Sequence, residues 1–150
     1  MDSTEAIVKV MESTDLFSGL SHRTLKKLVQ AGEEGRFPPG EKVTIEGESV
    51  AGFKTFSVRG VLFHLVLEGS GEVVKGGTTV ATIGPGQYFG ELSLIDGEPR
   101  TADVVAGPEG MTTFALEKPT FKALLDEHPE VAVPMLSVLA RRLRATEAGQ

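Results

Sequence analysis

The sequence contains no cysteine and only three histidines among its 150 residues. Without cysteine the chain can form no disulfide, offers no thiolate nucleophile and cannot bind a metal through sulfur. The histidines, His22, His64 and His128, are far apart and show neither HxH nor HExxH spacing. These absences argue against a metal-dependent enzyme, for which clustered ligands are needed.

Positive charge is also scarce, since 15 Lys and Arg against 21 Asp and Glu give a net charge of −6. A surface that neutralises many phosphates would be basic, so we expect no nucleic acid polymer as partner, although one arginine in a pocket suffices for a single anion. No apolar run approaches the ~20 residues of a membrane span, and the N-terminus lacks the apolar core of a signal peptide. With 40% hydrophobic and 24% charged residues, the chain is expected to form one soluble cytoplasmic domain over residues 1–150.

Helical patterns flank a central region of short β-rich runs. The N-terminal part, about residues 2–32, predicts a first helix over 2–17 and a second helix that begins at an N-cap, Ser21, and ends at Gly32. The C-terminal part, about residues 118–147, predicts a helix that opens with Pro119 and stops at His128, then a longer helix from about 130 to 147. That longer helix is expected to bury one face, formed by Val131, Met135, Leu136, Leu139 and Leu143.

Between about residues 37 and 116, glycine and proline recur between the short runs. This spacing favours a sandwich or barrel, and the sequence Lys75-Gly76-Gly77-Thr78 predicts a tight hairpin. The predicted strands cover residues 42–45, 53–58, 62–67, 71–74, 79–83, 102–105 and 112–116.

The stretch from Gly84 to Ala106, GPGQYFGELSLIDGEPRTADVVA, concentrates polar chemistry in one short unit. Glu91 supplies a carboxylate and Arg100 a guanidinium. A helical turn starting near Gly90 would direct the free amides of Leu92 and Ser93 at an anion. The alternatives at this point are that Glu91 and Arg100 pair with each other across a surface loop, and that Gly90 only permits a turn.

The motif FGEL (residues 89–92), followed by PRTA (99–102) and later by LARRL (139–143), resembles the cyclic nucleotide-binding domain. Gly40, EGE (46–48) and LEG (67–69) are further markers, and the resemblance runs from about residue 16 to 143. It implies a fold that is mainly β with flanking helices. The implied fold is a jelly-roll-like β-barrel (double-stranded β-helix) with N-terminal helices and two C-terminal helices.

The resemblance also implies how this unit would bind a 3′,5′-cyclic nucleotide. Arg100 would make a forked contact with the phosphate, and Glu91 would accept a hydrogen bond from the ribose 2′-hydroxyl. The amides of Leu92 and Ser93 would face the phosphate, and Gly90 would let the backbone approach closely. Thr101 would add a hydroxyl near the phosphate or base. For Ser93 and Thr101, a cap and a strand-surface hydroxyl are the respective alternatives.

The base is expected to lie under the last helix. Thr146 matches a threonine that contacts adenine in catabolite-activator-type factors, with fraying near the chain end as the favoured alternative. Arg142 and Leu143 are candidates to cap the base by stacking or apolar contact, and ordinary core is the alternative for Leu143.

Two departures from the family pattern shape the expected function. An insert at about residues 49–61 carries Phe53, Phe56 and Val58, which need burial. A long hairpin is expected there, with a lining of the pocket mouth or a partner surface as the alternatives. The chain also leaves no room after its last helix for a helix-turn-helix or another effector. We therefore expect a stand-alone unit whose last helix contacts a protein partner or forms a homodimer.

The expected activity is non-enzymatic regulation. The domain would bind cAMP in preference to cGMP, use no other cofactor, contact no membrane, and signal by closing its last helix over the base. One alternative is a non-binding scaffold of the same fold that acts through protein contacts. The other, a metal oxygenase on a similar barrel, lacks the metal histidines.

Overall fold

The computed structural model describes residues 3–44, 62–90 and 102–148 of the chain. Helices α1 (Ser3–Glu12) and α2 (His22–Ala31) come first. The strands are β1 (Glu33–Phe37), β2 (Lys42–Thr44), β3 (Leu62–Lys75), β4 (Thr78–Ile83), β5 (Tyr88–Phe89) and β6 (Asp103–Glu117). Helix α3 (Lys118–Glu127), a 3-10 turn (Pro129–Val131) and helix α4 (Ala132–Ala148) complete the described chain. The predicted strand 53–58 and the expected hairpin of the insert lie outside the described residues.

Local side-chain chemistry explains where the N-terminal helices begin and end. The hydroxyls of Ser13 and Thr14 donate to the carbonyls of Val10 and Met11, at 2.6 and 2.9 Å. Such bonds compete with the helical backbone pattern, so α1 stops at Glu12 and the predicted helix over 2–17 is too long. Ser21 is the N-cap of α2, since the backbone N–H of Thr24 donates to its hydroxyl oxygen at 3.1 Å. That prediction is confirmed.

The strands form an antiparallel sheet built on two long strands. Its order is β1-β6-β3-β4, with β2 also pairing with β6 and β5 with β3. Strand β3 unites the predicted segments 62–67 and 71–74, and β6 unites 102–105 and 112–116. The sheet begins at Glu33, earlier than the predicted 37, because β1 follows α2 directly. The predicted jelly-roll fold, mainly β with flanking helices, is confirmed, and among the described strands the order does not close on itself.

The two long strands bend together at a pair of glycines. Gly69 and Gly110 have φ of 77° and 80°, the left-handed region that favours glycine. The register between β3 and β6 shifts at this point, where Gly69 pairs with Met111 but Gly71 pairs with Ala106. A Cβ on Gly69 would clash with the carbonyl oxygen of Gly110. An irregularity of this kind bends and twists a strand pair.

Alternate side chains of β3 enter two different cores, as the two-residue period of a strand requires. Phe63 and Leu65 belong to a cluster shared with the helices, which we call the helix-side core. Val66 belongs to a second cluster, the sheet-side core, together with Phe37 and Phe89. The helix-side core therefore fixes the helices to one face of the sheet, and the sheet-side core lies on the other.

Helix α4 is buried only near its start. Met135 is buried as predicted, but Leu136 and Leu143 are 64% and 60% exposed, so the predicted inner face was wrong at these two positions. The described side chains at 141 and 143–145 are all exposed, because the helix has left the core by then. Val133, Leu136 and Leu143 share one side of the helix, and we call them the α4 apolar stripe. No described helix has the length and hydrophobicity that spanning a membrane requires.

Candidate functional site

The structure describes the residues that flank the candidate ligand segment, residues 90–101, and within the segment only Gly90. The predicted contacts Glu91, Leu92, Ser93, Arg100 and Thr101 lie outside the described residues. Gly90 and Ala102 are described, and so are the strands that lead into and out of the segment. The geometry of these ends determines where the segment begins and where it returns to the sheet.

Strand β5 sets the start of the segment. It pairs with the middle of β3, where His64 lies opposite Phe89 and Leu65 opposite Tyr88. Just before β5, the N–H of Gly86 donates to the carbonyl of Val66 at 2.9 Å. Sequence reasoning missed β5, because a two-residue strand is too short to show a period.

Gly90 follows β5 directly and has φ of 94°. This is the left-handed side of the backbone map, which glycine reaches without the steric cost that a Cβ imposes. The backbone conformation therefore favours glycine at residue 90, in agreement with the interpretation that Gly90 permits a turn. That Gly90 also lets the backbone approach a ligand closely stays a prediction.

A buried hydroxyl fixes the end of the segment. Thr44 is 4% exposed, and its hydroxyl donates to the carbonyl oxygen of Ala102 at 3.0 Å. Next to it, the ammonium group of Lys42 lies 3.3 Å from a carboxylate oxygen of Asp103. The first and last residues of β2 therefore hold the point at which the segment enters β6. Sequence reasoning missed this contact, since nothing local marks a threonine that bonds to a distant strand.

The candidate base contacts lie on α4. The α4 backbone is helical as far as Ala148 and therefore includes residue 146. The alternative favoured from the sequence for Thr146 is fraying of the helix end. The side chains of Arg142 and Thr146 are outside the described parts. Leu143 is exposed, so the alternative that it is ordinary core is wrong, and an apolar side chain there is available to a ligand or a partner.

A cleft of about 200 Å³, open to solvent, lies beside the base of α4. It is formed where the turn before α2 meets the 3-10 turn and α4. It is lined by Asp15, Leu16, Ser18, Gly19, Leu20, Glu130, Val131 and Pro134. Within the parts of the chain that the structure describes, His, Asp and Glu side chains form no cluster of three suited to a metal ion.

Comparison with known proteins identifies similar sequences and structures. The profile of the family described as "Cyclic nucleotide-binding domain" matches residues 34–128. The chain is 30% identical over 124 residues to the cAMP-dependent protein kinase regulatory subunit of Yarrowia lipolytica, over 83% of this chain and 30% of that protein. It is 29% identical over 143 residues to a cGMP-dependent protein kinase of Toxoplasma gondii, over 95% of this chain and 12% of that protein.

Among solved structures, the crystal structure of Thermus thermophilus Catabolite Activator Protein matches with a TM-score of 0.74 and 30% identity. The match covers 89% of this chain and 60% of that one. The chain spans less than a third of the length of either kinase-related relative.

Proposed function

Because the chain belongs to the cyclic nucleotide-binding domain family, we propose that it is a regulatory, non-catalytic domain that binds cAMP in preference to cGMP. The observation that carries the proposal is that the family match, residues 34–128, includes the entire candidate ligand segment. The two ends of that segment are fixed in one antiparallel sheet, through β5 and β3 at the start and β2 and β6 at the end. A segment held at both ends can present several donors to one ligand at a low cost in ordering entropy.

The proposed contacts divide the ligand into three parts. Arg100 and the amides of Leu92 and Ser93 hold the phosphate, as charge-assisted and helix N-terminal donors do. Glu91 accepts from the ribose hydroxyl, because a carboxylate would repel the phosphate. Thr101 supplies a further hydroxyl. Gly90 allows the backbone to come close to the ligand.

The choice of nucleotide rests on the expectation that the last helix contacts adenine. The similar proteins include both a cAMP-dependent and a cGMP-dependent kinase component, which supports a cyclic nucleotide but leaves the base to be tested. Calorimetric titration with cAMP and cGMP in parallel decides this. Tighter binding of cAMP is expected, tighter binding of cGMP would reverse the assignment, and no heat with either ligand at millimolar concentration would overturn the proposed function.

The signal is proposed to be a movement of α4. Leu143, with Arg142 and Thr146, is proposed to cover the base when the helix closes. The exposure of Leu143 at 60% supports this movement, because the C-terminal part of α4 does not pack its apolar side chain into the described core. A ligand that binds better to the closed arrangement shifts the population toward it.

Replacing Leu143 by serine is expected to weaken cAMP binding by about tenfold. Burying a whole leucine side chain contributes ~1.5–3 kcal/mol, and because part of Leu143 is already buried without ligand, binding loses only the remainder. The measurement is calorimetry combined with amide hydrogen exchange of residues 139–148. Ligand should slow exchange in the unsubstituted protein and do so less in the variant. Val80→Ser on β4 is the matched control, since Val80 is similarly exposed at 58%. If α4 exchanges at the same rate with and without bound cAMP, the helix movement is wrong.

The α4 apolar stripe supports a protein partner, which is either a second copy or another protein. The same observation favours the second candidate function, a scaffold that binds no nucleotide and acts through protein contacts. If the domain binds a cyclic nucleotide, it acts as a single unit over residues 1–150 in the cytoplasm. Ligand binding moves α4, and this movement is transmitted to the protein that covers the α4 apolar stripe.

Replacing Leu136 by aspartate is expected to disrupt any assembly formed through the stripe, because a buried unpaired carboxylate is strongly unfavourable at an interface. Leu136 is 64% exposed, so the fold itself should keep its stability. Sedimentation velocity of both proteins, with and without cAMP, measures the assembly. The stripe is the wrong surface if an assembly of the unsubstituted chain persists in the variant. For the scaffold, Arg100→Ala should leave partner binding intact.

A further inference from the structure

A fully buried histidine lies directly beneath the start of the candidate ligand segment. His64 is 0% exposed and lies opposite Phe89 in the β3–β5 pair. The two rings are stacked, with centroids 4.8 Å apart and planes 8° from parallel. The ring of Phe37 meets the imidazole edge-on at 6.0 Å. His64 is thus enclosed by aromatic rings of the sheet-side core.

The orientation of this imidazole is fixed by a third strand. Its Nδ1 lies 2.9 Å from the hydroxyl oxygen of Thr113 on β6, and Thr113 is itself 0% exposed. The terminal torsion of a histidine has a broad energy minimum, so a hydrogen bond is what selects one ring plane. A polar ring in an apolar core also costs free energy unless it is hydrogen-bonded. A leucine would fill this space without that cost but would not hold a flat stack.

The stacked ring of Phe89 is the last side chain before the backbone leaves the sheet. Strand β5 consists of Tyr88 and Phe89, which pair with Leu65 and His64 of β3. The next residue, Gly90, has no side chain to restrain its backbone. The pairing and ring stack of Phe89 with His64 therefore lie directly next to the point where the candidate ligand segment begins.

We propose that His64, oriented by Thr113, is a positioning residue that holds Phe89 and thereby fixes the Gly90 junction for nucleotide binding. The affinity part of this inference rests on the proposed function. His64 makes no contact with the ligand in this proposal and acts only through Phe89. Thr113 acts one step further away, through the ring plane of His64.

The first test reads the junction without any ligand. Three variants separate the contributions: His64→Leu removes the flat ring, His64→Phe keeps a ring but loses the hydrogen bond, and Thr113→Val removes the hydroxyl at nearly constant shape. Phe121→Leu is the control, because Phe121 is equally buried but stacks on Phe63 in the helix-side core. The assigned amide signal of Gly90 in ¹⁵N spectra should shift, and its hydrogen exchange should accelerate, in His64→Leu and Thr113→Val. The control should leave both unchanged.

The second test measures affinity for cAMP by calorimetry, on variants whose circular dichroism shows a folded domain. His64→Leu is expected to bind about tenfold more weakly, and His64→Phe and Thr113→Val about threefold more weakly, with tenfold equal to about 1.4 kcal/mol. The control should bind like the unsubstituted protein. The comparison with Phe121→Leu separates positioning from general destabilisation, because this control lowers core packing without touching the His64–Phe89 stack.

The outcomes separate this inference from the proposed function. If Gly90 is unperturbed in His64→Leu, or if Phe121→Leu perturbs Gly90 and weakens binding as much, the positioning role is wrong. If His64→Leu does not fold, Thr113→Val decides by the same criteria. If the unsubstituted protein binds no cyclic nucleotide, the proposed function fails, and the Gly90 signal still decides whether His64 sets the junction.

Discussion

Replacing Arg100 by alanine is expected to reduce the affinity for cAMP at least a hundredfold. In the proposed site the guanidinium is the one side-chain cation that faces the cyclic phosphate. Truncating one partner of a desolvated charge pair costs about 2–5 kcal/mol, much of it because the other charge is left without compensation. A hundredfold loss corresponds to about 2.7 kcal/mol, at the low end of this range. Calorimetry or competition with a fluorescent cAMP analogue would measure the loss.

The matched control removes the same charge at a distance from the candidate segment. The side chain of Arg36 on β1 is 82% exposed and lies 3.9 Å from Glu34, an exposed pair of little expected energy. Arg36→Ala should therefore bind cAMP like the unsubstituted protein. Arg100→Lys should recover part of the affinity, because lysine keeps the charge but lacks the forked geometry. Equal losses in Arg36→Ala and Arg100→Ala would show that net charge matters and that Arg100 is not a phosphate ligand.

Replacing Phe63 by alanine should have the largest effect on stability. Its ring is fully buried and contacts three other rings, Phe17, Tyr88 and Phe121, with centroids at 6.0, 5.5 and 5.1 Å. Because these rings come from the N-terminal turns, β5 and α3, the lost side chain would leave a cavity where helices meet sheet. We expect the free energy of unfolding to fall by about 3–5 kcal/mol, as for other buried phenylalanines.

Urea denaturation followed by circular dichroism measures this loss, with thermal unfolding as a second probe. At roughly 2–4 °C per kcal/mol for a chain of this size, Tm should fall by about 10 °C. Val80→Ala on the exposed face of β4 should change stability by less than about 0.5 kcal/mol. A loss below about 1 kcal/mol for Phe63→Ala would mean that this ring cluster does not unite the helices with the sheet.

Features set by local chemistry were predictable from the sequence. Ser21 caps α2, Pro119 lies in the first turn of α3, and Gly76-Gly77 forms the hairpin turn, because each depends on a few neighbouring residues. The family and the mainly β fold were predicted from motifs that recur at set positions in the chain. The proposed ligand contacts came from the same motifs and stay predictions.

Features set by distant contacts were not predictable. The bonds from Thr44 to Ala102 and from His64 to Thr113 join separate strands, and no local pattern marks them. Leu136 and Leu143 were assigned to a buried face because their spacing is helical. A helical period shows that the positions share a side, but whether the protein itself covers that side depends on where the helix leaves the core.

The pairing of β6 with β1 and β3 has a consequence for how the chain folds. Glu33 pairs with Ala115, so the first strand cannot find its partner until most of the chain has been synthesised. Contacts between residues so far apart in sequence require large loops to close first, which makes folding slow. The helical ends can form early from local contacts, while the segment proposed to hold the ligand is fixed only once β6 has docked. Refolding should thus restore helical signal before it restores nucleotide binding.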